Sequence, residues 1–329
     1  MGTPTMEDVA KAAGVSRALV SLVMRGSDKV SDASRERVLT AAAELGYRPN
    51  LAARHLASKR SLTIGLVLND LHNPFFPEVA DGVHDAAIDA GYHVLINSGF
   101  LRGDLEREAV ESFIDLGVDG VLLAGARISS ADLEQLATRV PITVIGRHLR
   151  STAVDSVNND DRAGGRLATE HLIELGHRRI VHVDGGQGAG SSQRRSGYTA
   201  AMRDHGLEPE VISSQFTEEA GLRAGQRIAS EGPAPEAVFA ANDVAAVGVL
   251  GALADHGLRV PEDVSVVGYD NTSLAGIHHI SLTSVDQDRR TMGSLAVEVL
   301  LERIGGSRRG AVHHVIAPSL VRRATSAER

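Results

Sequence analysis

The sequence predicts a small bundle of three short helices followed by a long α/β body of parallel strands with covering helices. Three observations predict it. Apolar residues recur at helical spacing between residues 5 and 46, broken by turn residues. From Leu62 onward, short apolar runs such as LTIGLVL, HVLIN, GVLLAG and VSVVGYD alternate with helical stretches such as Pro77 to Ala90, the mark of buried strands covered on both faces. Charge divides at the same place. Residues 1–60 hold ten Lys/Arg against six Asp/Glu, whereas the remainder holds 24 against 36, so a net charge of −8 conceals a basic head on an acidic body.

The 329 residues suit two or three compact units rather than one core. The absence of cysteine excludes disulfides, thiolate metal sites and a cysteine nucleophile. No apolar run approaches the ~18 residues of a membrane span, and the N-terminus lacks a signal-peptide core. A soluble, cytoplasmic chain with no membrane partner is therefore expected. The pairs His278-His279 and His313-His314 point their side chains apart and have no metal spacing around them. GGQGAG after the IVHVD run lacks the GxGxxG spacing and reads as a flexible loop beside a cleft. No nucleophile–base–orienter set is visible, so neither enzyme activity nor a cofactor is expected.

In the head, Thr5-Met6-Glu7-Asp8 has the capping-box pattern and opens a helix through Ala13, with Val9, Ala10 and Ala13 as its apolar stripe. Gly14 suits a tight turn. Ser16 then caps a second helix within Val15–Arg25 (VSRALVSLVMR), burying Val20, Val23 and Met24 and turning Arg17, Ala18, Ser21 and Leu22 outward. By itself this segment fits an ordinary amphipathic surface helix as well as the reading helix of a helix-turn-helix; its flanks decide for the latter. Ser31 or Ser34 begins a third helix, with Val38, Leu39, Ala42 and Leu45 as its buried face and Gly46 as its stop.

The stretch from Thr5 through GYRPN to Lys59-Arg60-Ser61 resembles the head of the lactose/galactose-repressor family of bacterial transcription regulators. The resemblance implies a helix-turn-helix domain at 1–48 and a hinge helix at 49–60. It also implies an effector-binding and dimerisation body at 61–329, formed by two doubly wound lobes like a periplasmic binding protein. The lobes are expected at about 61–157 with 287–317, and 158–286 with 318–329. The DNA contacts it implies are Thr5, Ser16, Arg17, Ala18, Ser21, Leu22, Arg25 and Arg54, with Leu56 as a minor-groove wedge. One departure stands out: Leu22 occupies a position where the family usually has arginine, so a guanine-binding fork is replaced by an apolar side chain.

Ligands of such sheets bind at the carboxyl ends of the strands. Those ends offer Asp70 with Phe75 and Phe76, then Arg147, Arg194, Phe216, Asn242 and Asp270. Arg194, in RRSGY, resembles the family's R-x-x-G effector arginine. Arg194 donating, Asp270 accepting and an aromatic cover make a site for a small polar ligand. Asn242-Asp243 reads equally as ligand contact or strand-end structure, since Asp243 also suits a helix N-cap. Gly146 stands where several family members carry a carboxylate, so ligand identity is not carried over.

The expected function is a homodimeric, sequence-specific transcription regulator, a repressor of a palindromic double-stranded operator, controlled by a sugar-like effector. A solute-binding protein for sugar uptake and a sugar-modifying enzyme are the competing readings. The basic head speaks against the first, and the missing catalytic set against the second.

Overall fold

The computed structural model describes residues 4–24, 27–47 and 60–329, which divide into two compact units between Ser61 and Leu62. The first holds α1 (Met6–Ala13), α2 (Arg17–Met24) and α3 (Asp32–Glu44). Thr5 and Asp8 cap α1 reciprocally: the Asp8 amide donates to Thr5 Oγ1 at 3.3 Å, and the Thr5 amide to Asp8 Oδ2 at 2.8 Å. Gly14 takes left-handed angles (φ 61°), and its N–H returns to the carbonyls of Ala10 and Lys11, ending the helix. Ser16 Oγ accepts the Leu19 amide at 3.2 Å and so starts α2. Val9, Val20 and Val38, all wholly buried, are the centre of the head's core. Leu39 and Leu45, expected inside, are 49% and 38% exposed, and Ala41 packs in their place. Such short helices touch along a narrow strip that admits small side chains at 41 and 42.

In the body, the first sheet is built from β1 (Thr63–Leu68), β2 (His93–Ser98), β3 (Gly120–Ala124), β4 (Ile142–Ile145), β5 (Asp155–Asn159) and, much later in the chain, β11 (His313–Ile316). Its helices are α4 (Phe75–Asp89), α5 (Gly103–Asp115) and α6 (Ser130–Ala137). The second sheet uses β6 (Ile180–Val183), β7 (Glu210–Ile212), β8 (Ala237–Ala240), β9 (Ser265–Asp270), β10 (Thr283–Asp286) and β12 (Ser319–Val321). Between those strands lie α7 (Asp161–Glu174), α8 (Ser191–Asp204), α9 (Glu218–Ser230) and α10 (Asp243–Asp255). The helix α11 (Arg289–Gly305) follows β10. The strand orders are β11-β5-β4-β3-β1-β2 and β12-β10-β9-β8-β6-β7. All pairings are parallel except the short β12 with β10, so both lobes are the parallel-sheet units expected.

Both sheets reverse their winding between the first and third strands, β1/β3 and β6/β8. That reversal opens a crevice at the carboxyl edge of each sheet. The chain passes from one sheet to the other after β5, after β10 and between β11 and β12. Two expectations need correction here. The helix expected from Pro77 starts at Phe75, with Pro77 in its first turn, where a missing N–H leaves no hydrogen bond unmade. The run HVLIN, taken as buried, is an edge strand with Leu95 and Ile96 exposed at 38% and 57%.

Helix pairs on these sheets touch backbone to backbone through glycines. A Cβ on Gly197 would stand 2.1 Å from the Arg162 carbonyl, and one on Gly165 would stand 2.2 Å from the Arg194 carbonyl, so α7 and α8 cross at the closest approach helices allow. The chain's end is tied to the second sheet's helices: His171 Nε2 meets Ser326 Oγ at 3.0 Å, and His177 Nε2 meets the Ala327 carbonyl at 3.1 Å. Burial, helped by Arg322, lowers the His171 pKa to about 4, and burial lowers that of His182 to about 4. Both are neutral in the fold but protonate near pH 6.5 once unfolded, so their contribution is complete above that pH and is lost as pH falls toward 4. The unfolding free energy from urea denaturation should therefore drop between pH 7 and pH 4.5, by about 1–3 kcal/mol per histidine. His171→Gln should flatten that slope; an unchanged slope contradicts the account.

Candidate functional site

The two crevices face a cavity of about 330 Å³ lined by strand ends of both sheets. Asn69 and Asp70 follow β1, Gly125 follows β3, Gly185 lies just past β6, Asn242 follows β8, and Asp270 ends β9. Phe75 and Phe76 come from the first turn of α4, and Phe216 precedes α9. Seven residues singled out in the sequence thus meet at one cavity: Asp70, Phe75, Phe76, Arg194, Phe216, Asn242 and Asp270.

Arg194 is the centre of the cavity's polar wall. It lies on α8, 5% exposed, with Nε donating to Asp161 Oδ1 at 2.8 Å and Nη1 to the Ala241 carbonyl at 2.5 Å. Nη1 also stands 3.4 Å from Asp270 Oδ1. The guanidinium lies 3.7 Å above the Tyr269 ring, and 5.4 Å from that of Phe216. Burial alone would lower its pKa, but Asp161 and Asp270 outweigh that and hold it charged. Asp270 takes a left-handed backbone (φ 105°), a strained conformation for a residue with a side chain, and Oδ1 also accepts Gln287 Nε2 at 2.6 Å. Burial, with the nearby Asp243 charge, pushes its carboxyl pKa up against the pull of Arg194.

The glycine loop 185–190 is pinned rather than flexible. Asp184 Oδ1 accepts the amides of Gly186 and Ser214 at 3.0 Å each, and the Gly185 amide donates to Ser191 Oγ at 3.0 Å. Phe216 lies against this loop so closely that a Cβ on Gly185 or Gly188 would stand 2.1 or 2.2 Å from the ring. The glycines let the ring reach the cleft. Asn242 divides its side chain: Oδ1 caps α10 through the Ala245 amide at 2.9 Å, and Nδ2 reaches the Phe216 carbonyl at 3.4 Å. Asp243 is not the N-cap. Wholly buried, it accepts from Thr272 N (2.6 Å), Thr272 Oγ1 (2.9 Å) and Ser284 Oγ (2.6 Å), a purely structural part.

Arg147 does not line the cavity. Its guanidinium turns away to the carbonyls of Ala126 and Ile128 and to Ser130 Oγ. The loop it holds is also gripped by buried Glu106, whose Oε2 accepts the amides of Arg127 and Ile128 at 2.7 and 2.8 Å. That loop brings Arg127 to the cavity instead. Sequence reading also missed Asn73, Gln187, Gln215, Thr217 and Gln287. Only Gln187, inside the glycine run, and Gln287, just past the apolar-polar run SLTSVD, left a signal that could have been read.

In the head, Thr5 and Ser16 cap their helices while Arg17 and Ala18 are exposed. Ser21 and Leu22 are half-buried, and Leu22 rests partly against the head's core instead of pointing wholly outward. Arg25, Arg54 and Leu56 lie outside the described residues. No helix among the described residues is long and apolar enough to cross a membrane.

A ligand-binding α/β body carrying a helix-turn-helix module is the class this architecture defines. Residues 5–50 match the model of the bacterial regulatory proteins, lacI family, and residues 169–326 match that of the periplasmic binding protein-like domain. The chain is 36% identical to the ribose operon repressor of Haemophilus influenzae, over 97% of each chain. It is 37% identical to the HTH-type transcriptional regulator CelR of Thermobifida fusca, again over 97% of each. The crystal structure of the lac repressor dimer bound to operator and the anti-inducer ONPF superposes with a TM-score of 0.88 at 29% identity, covering 99% of this chain and 100% of that one. A CelR–cellobiose complex superposes with a TM-score of 0.74 at 35% identity, covering 98% and 100%. The chain belongs to the lacI family of bacterial regulatory proteins. It is a DNA-binding transcriptional regulator, and these relatives carry the names of regulators, not enzymes.

Replacing Arg194 should damage folding before it reports on any ligand. Arg194→Met leaves Asp161 and Asp270 buried without their cation, at a cost of about 3–5 kcal/mol. Urea denaturation at pH 7 checks this, and a loss under about 1 kcal/mol contradicts the geometry.

Proposed function

We propose that this regulator is a repressor that binds a palindromic operator as a homodimer and answers to a small, sugar-like polar effector held in the cleft. The division proposed is a DNA-reading head at 1–48, a hinge at 49–60 and an effector body at 61–329. The observation that carries the effector reading is the convergence of Asp70, Asn242, Asp270 and Gln287 with three phenylalanines on one cavity, at the winding reversal of both sheets. Polar groups between aromatic faces suit a ring bearing hydroxyls. The relative named for ribose and the neighbour carrying cellobiose support that ligand class.

The DNA reading rests on the basic head and on the exposure of Arg17 and Ala18 at the start of α2, where such a helix meets base edges. Thr5, Ser16, Ser21, Arg25 and Arg54 are proposed as further contacts, and Leu56 as the wedge that bends the minor groove. The lac repressor neighbour, a dimer on its operator, supports the two-fold reading. So do Ile88, Leu95 and Ile96, exposed on α4 and edge strand β2 where a second copy would cover them.

A thermal-shift screen of pentoses, hexoses, disaccharides and nucleosides tests the effector. A true effector at a hundredfold its Kd should stabilise the protein by about 2.7 kcal/mol. Gln287→Ala and Asn242→Ala should remove that shift, and a wild-type screen without any shift overturns the class. Leu22→Arg should move base preference at one symmetric pair of operator positions by about 1–3 kcal/mol per half-site. Binding-site selection with unchanged preference at every position refutes the placement of α2.

A further inference from the structure

The crossover Asp286–Arg289 is engaged on opposite sides by alternate residues. Gln287 reaches the cleft and bonds Asp270 Oδ1. Arg289 reaches the other way, with Nε on Glu78 Oε2 at 2.7 Å and Nη1 on Asp286 Oδ1 at 3.1 Å and on the backbone carbonyl of Asp270. Glu78 uses its remaining oxygen, Oε1, to accept the Ser273 amide at 2.7 Å. Glu78 belongs to the first turn of α4, the turn that carries Phe75 and Phe76 into the cleft. Ser273 lies three residues past Asp270. Arg289 opens α11, which packs so closely on α4 that a Cβ on Gly82 would stand 2.2 Å from the Arg290 carbonyl and one on Gly293 2.3 Å from that of Val79.

One carboxylate of the first lobe therefore holds a loop of the second lobe directly. Through Arg289, it also holds the carbonyl of the residue whose side chain faces the ligand. The Arg289 and Glu78 side chains are only 14% and 23% exposed, so solvent screens the pair weakly. No rotation of the lobes that carries Ser273 away from α4 can keep both bonds.

We propose that Glu78 is a positioning residue, an interlobe latch with Arg289 and the Ser273 amide that sets the resting equilibrium of the two lobes and thereby the sensitivity of the cleft. This regulation rests on the effector reading given above. A ligand that draws Gln287 or Asp270 toward itself shifts the Asp270 carbonyl under Arg289 and so loads the latch. The ligand's preference for one lobe arrangement must then exceed what the latch contributes. Removing the latch lets a weaker preference switch the protein.

The chain has no cysteine, so Glu108→Cys on α5 and Glu219→Cys on α9 place one spin label on each lobe of the full chain. Labelled chain diluted in excess unlabelled chain reports the distance within a protomer, with no effector added. With Glu78 intact one distance should dominate. Glu78→Gln should raise a second distance by about five- to tenfold and speed hydrogen exchange at the Ser273 amide to match. Arg289→Lys, which keeps the charge and loses the fork, should do the same to a smaller degree, and it answers the question if Glu78→Gln does not fold. Unchanged distances and unchanged Ser273 exchange in the folded variants overturn the latch. Because no effector is used, that result leaves the cleft reading standing, whereas a blank ligand screen removes the cleft reading and leaves the latch measurable.

Discussion

The buried charge of Arg194 is the constraint from which the rest of the body follows. A guanidinium enclosed at 5% exposure must be neutralised and hydrogen-bonded where it sits, and three elements supply what it needs. Asp161 comes from the start of α7, the Ala241 carbonyl from the end of β8, Asp270 from the end of β9, and the Tyr269 ring lies beneath. Those elements can converge only if α7 and α8 cross closely, which glycines at 165 and 197 permit. A wall this heavily determined is preorganised: a ligand meets oriented donors and acceptors and need not order them.

The rest of the cleft repeats that logic on weaker terms. Both sheets wind outward from β1/β3 and from β6/β8, so each opens its crevice toward the same cavity. What fills the crevices is asymmetric. The first lobe contributes the phenylalanines of α4 with Asn69 and Asp70, and the second contributes the charged cluster and the glycine loop. Each lobe also lends the other kind of group, Arg127 from the first and the Phe216 ring from the second, so the lining of the cavity is sensitive to how the lobes stand. Glu78 lies at that joint, in the same helical turn as the phenylalanines.

The head depends on caps rather than on core volume. Its interior consists mainly of valine and alanine, and each of α1 and α2 is eight residues long, too short to hold itself in water. The reciprocal Thr5–Asp8 bonds, the left-handed Gly14 and the Ser16 cap therefore carry much of the burden. Two of these polar residues are also proposed DNA contacts, so stability and recognition draw on the same atoms. Leu22, half-packed against the core, ties its proposed recognition role to the packing of the helix.

Much of this was legible in the residues. Capping patterns are local, and the apolar runs of β1, β3, β6, β8 and β9 are buried on both faces, so their periodicity announces them. Arg194, Asp270 and the cleft phenylalanines could be found because they follow such runs or sit in a motif that resembles the family's. Other features have no local signal. β5 reads DSVNN and is fully buried only because Arg303 and Arg308 reach Asp155 at 2.9 and 2.8 Å from about 150 residues away. Arg147 has the composition and position of a ligand contact, yet the carbonyls of the 126–128 loop capture it and Arg127 takes the place at the cavity. Gln287 enters the cleft because the chain crosses between sheets there. The sequence by itself determined most of the segments that become helices and strands, β5 apart, and where charge concentrates, since those depend on neighbours a few residues apart. Only the tertiary structure decided which polar side chains face the cavity and which hold its wall, since that depends on partners brought together from distant parts of the chain.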